Sequence, residues 1–323
     1  MSETAEKDDA EPVAREPTQP ECPAAAETHC GFIAVIGAPN AGKSTLVNAL
    51  VGTKVAIVSR KVQTTRATLR GIAMAGASQL VFIDTPGIFQ PKRRLDRAMV
   101  DAAWGGVGDA DLVLVVVDAA KGLDEDVERI VGKLKEGTRS SPLLALNKID
   151  RVHKEKLLEL TAELNARVPF TRTFMISATD GDGVPDLKAY LAAAVPPGPW
   201  HYPEDEVSDA PMRVLAAEIT REKIYDRLHE ELPYQTAVET TSWSEQDNGI
   251  HIEQTIYVER DSQKRIVVGK GAAMIKQLSM EARKELSAML DRPVHLFLFV
   301  KVREGWGDDP ARYRDLGLTF PKA

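Results

Sequence analysis

The sequence predicts two domains: an α/β domain with a mostly parallel sheet and helices on both faces, followed by a smaller α+β domain. Short apolar runs alternate with amphipathic stretches over residues 30–195, which is typical of parallel strands buried on both faces. Five prolines then fall between residues 196 and 211. Because proline at this density stops helices and favours an extended chain, we place a linker at residues 196–212.

Residues 1–29 predict a disordered tail. They hold eight acids, two basic residues and four prolines, which accounts for −6 of the formal net charge of −7. The rest of the chain is therefore nearly neutral, and the acidic balance does not exclude a nucleic-acid partner. The tail lacks the apolar core of a secretory signal, and no apolar run approaches the roughly 18 residues of a membrane span. We expect a cytoplasmic protein without a transmembrane segment.

Five apolar runs predict the strands of the first domain, at residues 32–36, 80–83, 112–117, 143–146 and 174–176. A further run lies just before residues 75–78. The gap to the next strand is too short for a crossover helix, so we expect one antiparallel strand at the edge of the sheet.

A glycine-rich segment at residues 37–44 reads G-x-x-x-x-G-K-S between a predicted strand and a predicted helix, the context in which such loops bind phosphate. Backbone N–H groups and the helix N-terminus would face the anion, while Lys43 neutralises the outer phosphates and Ser44 offers its hydroxyl to Mg²⁺. An ordinary strand-to-helix turn is the weaker alternative. The predicted phosphate-binding residues are Gly37, Asn40, Ala41, Gly42, Lys43, Ser44 and Thr45.

Three further motifs follow predicted strands. Asp84, in DTPG, can reach Mg²⁺ through water, and the backbone N–H of Gly87 can contact the terminal phosphate, although DTPG alone is a common turn. In NKID, at residues 147–150, the carboxylate of Asp150 can accept hydrogen bonds from both N1–H and the 2-amino group of guanine, which selects GTP over ATP. The remaining predicted contacts to the base come from Asn147, Lys148, Ser177 and the backbone N–H of Ala178.

These four elements, in this order at strand ends, resemble those of translation-factor-class GTPases. The resemblance implies that residues 59–71 form a switch in which Thr65 binds Mg²⁺ while the terminal phosphate is present, with Thr64 as the competing choice. Lys43, Thr65 and Gly87 are then the residues expected to act on that phosphate. Ile88 stands where Ras-like enzymes carry a water-orienting glutamine, so we expect slow intrinsic hydrolysis.

Asn40 has two interpretations of equal weight. Related GTPases use an asparagine at this position to help bind K⁺ beside the phosphates, but asparagine is also favoured by turn geometry alone.

The sequence of the second domain, at residues 213–303, predicts helices and strands in the order α, β, β, α, α, β. An apolar stripe from Leu215 to Leu232 predicts a helix that ends near Pro233, and Asn248-Gly249 predicts a hairpin. A glycine loop at residues 269–272 joins the two later helices, and the last strand spans residues 295–302. Residues 304–323 form a C-terminal extension.

This order and loop resemble a bacterial-type (type II) K-homology domain, whose loop clamps single-stranded nucleic acid. A plain helix-helix turn is the alternative. Ala272 departs from the glycine of the pattern, and we expect it to open the following helix, where alanine is favourable. Acids at Glu281 and Glu285 leave a solvated helix face as a second alternative. The predicted RNA-binding residues are Lys264, Arg265, Gly269, Lys270, Gly271, Ala272 and Lys276.

The combination of QTTR, DTPG and NKID with this C-terminal domain resembles the Era family of bacterial ribosome-assembly GTPases, over about residues 31–317. The resemblance implies a monomer that uses GTP or GDP with Mg²⁺ and binds the 3′ end of small-subunit ribosomal RNA during maturation of the 30S subunit. Peripheral membrane contact stays open. Two rivals are an RNA-binding assembly factor that holds GTP as a structural ligand and a P-loop kinase, which would have no need of NKID.

Overall fold

The structure, a computed structural model, describes residues 27–59, 61, 64–66, 68–91, 93–137, 142–229, 231–305, 309–310, 313 and 317–321. The predicted acidic tail lies outside the described residues except for residues 27–29. Among the described helices, none combines the length and the apolar character needed to cross a membrane.

The first domain contains a six-stranded sheet in the order β2-β3-β1-β4-β5-β6. Its strands are β1 (His29–Gly37), β2 (Leu69–Ala75), β3 (Ser78–Asp84), β4 (Leu112–Asp118), β5 (Leu143–Asn147) and β6 (Thr173–Ile176). β2 pairs antiparallel with β3 at one end of this order, and the other neighbouring pairs are parallel. Both the α/β prediction and the antiparallel edge strand are confirmed.

Five helices cover the two faces of this sheet: α1 (Lys43–Val51), α2 (Arg94–Asp109), α3 (Glu125–Lys135), α4 (Lys154–Arg167) and α5 (Val184–Ala194). One apolar cluster joins α2, α3 and α4 to one face, and a second joins α1 and α5 to the other. β4 is apolar from Leu112 to Val117, and both of its faces are buried in these clusters. The loops after β1, β3, β5 and β6 all leave from the carboxyl end of the sheet, which brings the four motifs together.

The second domain contains α6 (Met212–Arg227), β7 (Ala237–Gln246), β8 (Gly249–Val258), α7 (Asp261–Val268), α8 (Ala273–Leu290) and β9 (Val294–Val302). β8 pairs antiparallel with β7 through the predicted hairpin and parallel with β9. The predicted order α, β, β, α, α, β is confirmed. Alternate residues of β8, including Ile252 and Ile256, are fully buried between the sheet and the helices.

The predicted length of α6 is wrong, because the helix ends at Arg227 and not near Pro233. Leu228 is extended, and Leu232 begins a short 3₁₀ helix, Leu232–Gln235. The carbonyl groups of Tyr225 and Leu228 accept hydrogen bonds from Nζ of Lys61, a residue of the first domain. A residue distant in sequence therefore satisfies carbonyl groups at this helix end.

Both ends of the second domain return to the first. The linker lies along β2 and β3: the amide of Ile72 donates to the Val207 carbonyl (2.8 Å), and the buried side chain of Gln79 donates to the Tyr202 carbonyl (2.8 Å). In the C-terminal extension, the buried side chains of Tyr313 and Leu318 pack against α2 at Ala98 and Met99. The second domain is thus attached to the first on two sides.

Candidate functional site

The phosphate loop begins where β1 ends at Gly37 and leads directly into α1 at Lys43. Gly42 adopts φ 98° and ψ 24°, and a Cβ there would lie 2.2 Å from Nδ2 of Asn147. Only glycine fits such a position, because a side chain would be both strained and in collision with its neighbour. The loop therefore presents the N-terminal N–H groups of α1 towards the site.

Lys43 is held inside the loop. Its Nζ donates to the carbonyl oxygens of Gly37 and Ala38, both at 3.1 Å, and the residue is 6% exposed. Burial lowers the pKa of Lys43 to about 8, while the charge of Asp84 acts in the opposite direction. An anion beside this lysine would favour its charged form.

Three side-chain oxygens meet at the head of α1, where the sequence predicts a metal. Ser44 Oγ lies 2.9 Å from Thr65 Oγ1 and donates to Asp84 Oδ2 at 2.7 Å, and Thr65 Oγ1 lies 3.4 Å from the same carboxylate oxygen. Thr64 does not join this group, since its hydroxyl donates to the carbonyl of Lys61 (2.8 Å). The geometry thus favours Thr65 over Thr64.

The donor set suits Mg²⁺, a hard cation that prefers oxygen ligands. Oδ1 of Asp84 is buried and makes no hydrogen bond within the described residues. Burial raises the pKa of Asp84 to about 6, with the hydrogen bond from Ser44 as the largest opposing effect. A buried carboxylate with an unsatisfied oxygen is the expected environment of a cation-binding group.

An open pocket runs along the outside of the phosphate loop. Its lining includes Asn40, Thr45 and Gly87, together with residues 57–58 and the switch residues Ser59, Thr64 and Thr65. The side chain of Ile88 is 1% exposed and belongs to the apolar core, and its amide donates to the carbonyl of Gly37 (3.1 Å). The residue after DTPG is thus structural and offers no polar group to a water.

Asn147 connects the phosphate loop to the predicted base-binding end. Its Nδ2 donates to the carbonyl of Ala41 (2.9 Å), and its Oδ1 accepts from the amides of Lys148 (2.8 Å) and Ala178 (3.0 Å). The Ala178 amide is therefore already engaged, and a contact to a guanine oxygen would have to share this hydrogen. Ser177 Oγ donates to Asp150 Oδ1 (3.0 Å), which orients that carboxylate.

Sequence reasoning missed one member of this end, Asp118. Lys148 Nζ donates to Asp118 Oδ2 (2.6 Å) and to the Asn40 carbonyl (2.7 Å), so the ammonium of the base-side lysine is held between two oxygens. An aspartate at the last position of β4 is the signal that could have identified it, since polar residues at carboxyl ends of parallel strands line ligand sites. Asn40 has φ 61°, which explains an asparagine without an ion, so K⁺ stays a prediction.

The second glycine loop contains two glycines with positive φ angles, followed by an alanine that also has a positive φ angle. Gly269 has φ 75°, and a Cβ there would lie 2.8 Å from the Met274 amide nitrogen, while Gly271 has φ 59°. Ala272 has φ 60° and ψ 24°, a left-handed conformation. Our expectation that alanine is favourable here is therefore wrong: Ala272 precedes the helix instead of opening it, and its Cβ costs about 1 kcal/mol in this conformation.

An open cavity of about 700 Å³ lies against this loop and is lined by Asp261, Lys264, Arg265, Val268, Gly269 and Lys270. Lys276 is exposed on the first turns of α8. The acids that left a solvated helix face open are engaged elsewhere: Glu281 pairs with Arg227 on α6, and Glu285 pairs with Lys54 and Lys223. The charged residues that line the cavity are thus mostly basic, with Lys264, Arg265 and Lys270 against Asp261.

Family models match both domains: one described as 50S ribosome-binding GTPase matches residues 32–148, and one described as KH domain matches residues 231–307. GTPase Era of Bradyrhizobium sp. strain BTAi1 is 65% identical over 298 residues, which is 92% of this chain and 96% of that protein. GTPase Era of Rhizobium meliloti is 61% identical over 299 residues, 92% of this chain and 95% of its own length.

Two crystal structures of Era superpose with a TM-score of 0.85 at 36% identity, covering 90% of this chain and 99% of each matched chain. One is Era in complex with MgGDPNP and nucleotides 1506–1542 of 16S ribosomal RNA. The other is a substituted Aquifex aeolicus Era bound to GDP·AlF4⁻. With this identity over nearly the whole of its length, the chain belongs to the Era family of GTPases.

Proposed function

We propose that this chain is a GTP-hydrolysing switch that binds the 3′ end of small-subunit ribosomal RNA and assists maturation of the 30S subunit, as a cytoplasmic monomer. The observation that carries the proposal is the similarity, over 90% of the chain, to an Era captured with both MgGDPNP and 16S ribosomal RNA nucleotides. The two candidate sites of this chain correspond in chemistry to those two ligands.

At the nucleotide end, the N–H groups of residues 37–44 and the ammonium of Lys43 hold the phosphates, and Asp150 holds the guanine edge. Ser44, Thr65 and Asp84 hold Mg²⁺, which supplies positive charge to the phosphate oxygens during attack by water. Thr65 and the amide of Gly87 contact the terminal phosphate. Ile88 cannot orient the water, so the intrinsic rate is slow and a partner, an ion or a rearranged switch accelerates it.

Asn40 is proposed to contribute to K⁺ binding beside the phosphates. If so, GTP turnover in potassium buffer will exceed turnover in sodium buffer of equal ionic strength. Equal rates would remove the ion from the mechanism and leave turn geometry as the reason for the asparagine.

At the RNA end, the loop of residues 269–272 approaches the phosphate backbone of a single strand, and Lys264, Arg265, Lys270 and Lys276 neutralise it. Crosslinking in cells, followed by sequencing of bound RNA, tests this proposal. We expect the small-subunit 3′ terminus, and we expect its recovery to fall in a Lys270→Glu variant that still binds GTP. Recovery of unrelated RNA, or equal recovery from both proteins, would contradict the RNA assignment.

A second candidate function follows from the buried Ile88: an RNA-binding assembly factor that holds GTP as a structural ligand with negligible hydrolysis. Single-turnover hydrolysis, measured with and without small ribosomal subunits, separates the two. Acceleration by the subunit supports the switch. Equally slow decay in both samples supports the structural ligand.

A further inference from the structure

The helix that opens the second domain, α6, lies along the switch of the first domain. The amide of Val58 donates to Glu222 Oε1 at 2.8 Å, and Lys54 Nζ contacts Glu222 Oε2 at 2.6 Å. Further along, Lys61 reaches the carbonyl groups at the end of α6. Polar groups of the other domain therefore hold the switch and the segment that leads into it.

Two further contacts between the domains involve the residues on either side of Thr65. Arg221, on α6, donates to the carbonyl of Thr64 at 2.5 Å. Arg221 is 2% exposed, and its Nε donates to Glu218 Oε1 at 2.8 Å, so its guanidinium is fixed by its own helix. A charged donor held in this way forms a strong hydrogen bond and resists displacement.

On the other side of Thr65, Arg66 enters the second domain. The residue is 4% exposed, and its guanidinium donates to the carbonyl groups of Thr236 (2.7 Å) and Tyr234 (3.0 Å) and to the hydroxyl of Tyr225 (3.0 Å). Buried arginine with several acceptors fixes a chain segment firmly, because leaving any of these groups unpaired is costly.

Thr65 lies between these two anchors, with its hydroxyl 2.9 Å from Ser44. Consecutive Cα atoms are about 3.8 Å apart, so fixing residue 64 at its carbonyl and residue 66 at its side chain leaves Thr65 little freedom. We propose that the second domain is a working part of the nucleotide site, in which Arg221 positions Thr65 for Mg²⁺ and the terminal phosphate. The inference depends on the metal role proposed above for Thr65.

An Arg221→Gln variant tests this positioning role. Thr65 acts only when the terminal phosphate is present, so we expect the Mg²⁺ concentration for half-maximal GTP hydrolysis to rise on the order of tenfold while GDP affinity stays unchanged. A merely structural role for Arg221 would not separate GTP from GDP in this way. The control is Arg227→Gln on the same helix, which removes an exposed ion pair with Glu281 and leaves the switch untouched.

Arg221→Lys keeps the charge that the buried Glu218 requires but loses the fork that reaches both partners, so it serves if Arg221→Gln does not fold. We expect an intermediate Mg²⁺ requirement for it. If both arginine variants match the Arg227→Gln control, the positioning role is wrong although the chain hydrolyses GTP. If the unaltered chain shows no Mg²⁺-dependent hydrolysis, the proposed function fails instead.

Discussion

The chain contains two glycine loops that are proposed to meet phosphate, and they are built differently. In the loop of residues 37–44, the position with a positive φ before the helix is occupied by Gly42 and enclosed by Asn147. Lys43 is buried and donates to backbone carbonyl groups. In the loop of residues 269–272, the left-handed position at the helix start holds Ala272, and the cavity alongside is open. The first loop is a rigid mould with no room for a Cβ at residue 42, whereas the second loop accommodates the Cβ of Ala272 in a left-handed conformation.

The largest effect is expected from adding a methyl group at residue 42 of the first loop. In Gly42→Ala, the Cβ collides with Nδ2 of Asn147 at a positive φ. We expect the free energy of unfolding to fall by about 3 kcal/mol and guanine nucleotide affinity to fall on the order of hundredfold. Denaturant melts and calorimetry measure both. In Gly105→Ala, on α2, no described atom lies within 4 Å of the new Cβ, and stability should be retained. A stable Gly42→Ala that binds normally would contradict the rigid-mould description.

The second-largest effect is expected at the base-binding end of the nucleotide site. Asp150→Asn replaces an acceptor of two guanine hydrogens by a group that can accept only at one atom, so GTP affinity should fall roughly hundredfold and xanthosine triphosphate should bind better than GTP. Competition binding with the two nucleotides measures the change. Unaltered preference for guanine would show that Asp150 does not contact the base.

A smaller effect is expected in the open loop, where several cations share one backbone. In Lys270→Ala, RNA affinity should fall about tenfold at low salt, and the slope of log affinity against log salt should decrease by about 1. The matched control is Lys156→Ala, an exposed lysine on α4. Equal slopes for both variants would place the RNA elsewhere on the chain.

The smallest effect separates strain from function in the second loop. Ala272→Gly relieves the left-handed alanine and should raise the free energy of unfolding by about 1 kcal/mol, whereas Ala273→Gly, one residue into α8 at φ −63°, should lower it by a similar amount. Both substitutions replace alanine by glycine, but their expected effects on the free energy of unfolding have opposite signs. A loss of stability in both variants would show that Ala272 is not strained.

The parts that sequence predicts well are local. The run at residues 112–117 predicts β4, and GAPNAGKS predicts the strand, loop and helix around it, because each depends on residue types within a few positions. Ser44 and Asp84 are also predicted to lie together, since both stand at strand and helix ends that the motifs mark, whereas Thr65 lies in a loop and is expected there only from the family resemblance.

The parts that sequence did not predict arise from residues far apart along the chain. The end of α6 depends on a hydrogen bond from Lys61 of the first domain. Arg66 of the first domain contacts the second, and Arg221 of the second contacts the first, so no local sequence pattern encodes these positions. Ala272 is a different case: alanine is normally a helix former, and only the geometry of the turn after Gly269 places it in the left-handed region.

The double attachment of the second domain limits how it can move. The linker is paired with the edge of the first sheet through Val207, and Leu318 is buried against α2 beyond β9. The helix α6 adds further contacts with the first domain through Arg221 and the carbonyl group of Tyr225. Any reorientation of the second domain that accompanies nucleotide turnover must therefore break at least one of these three sets of contacts.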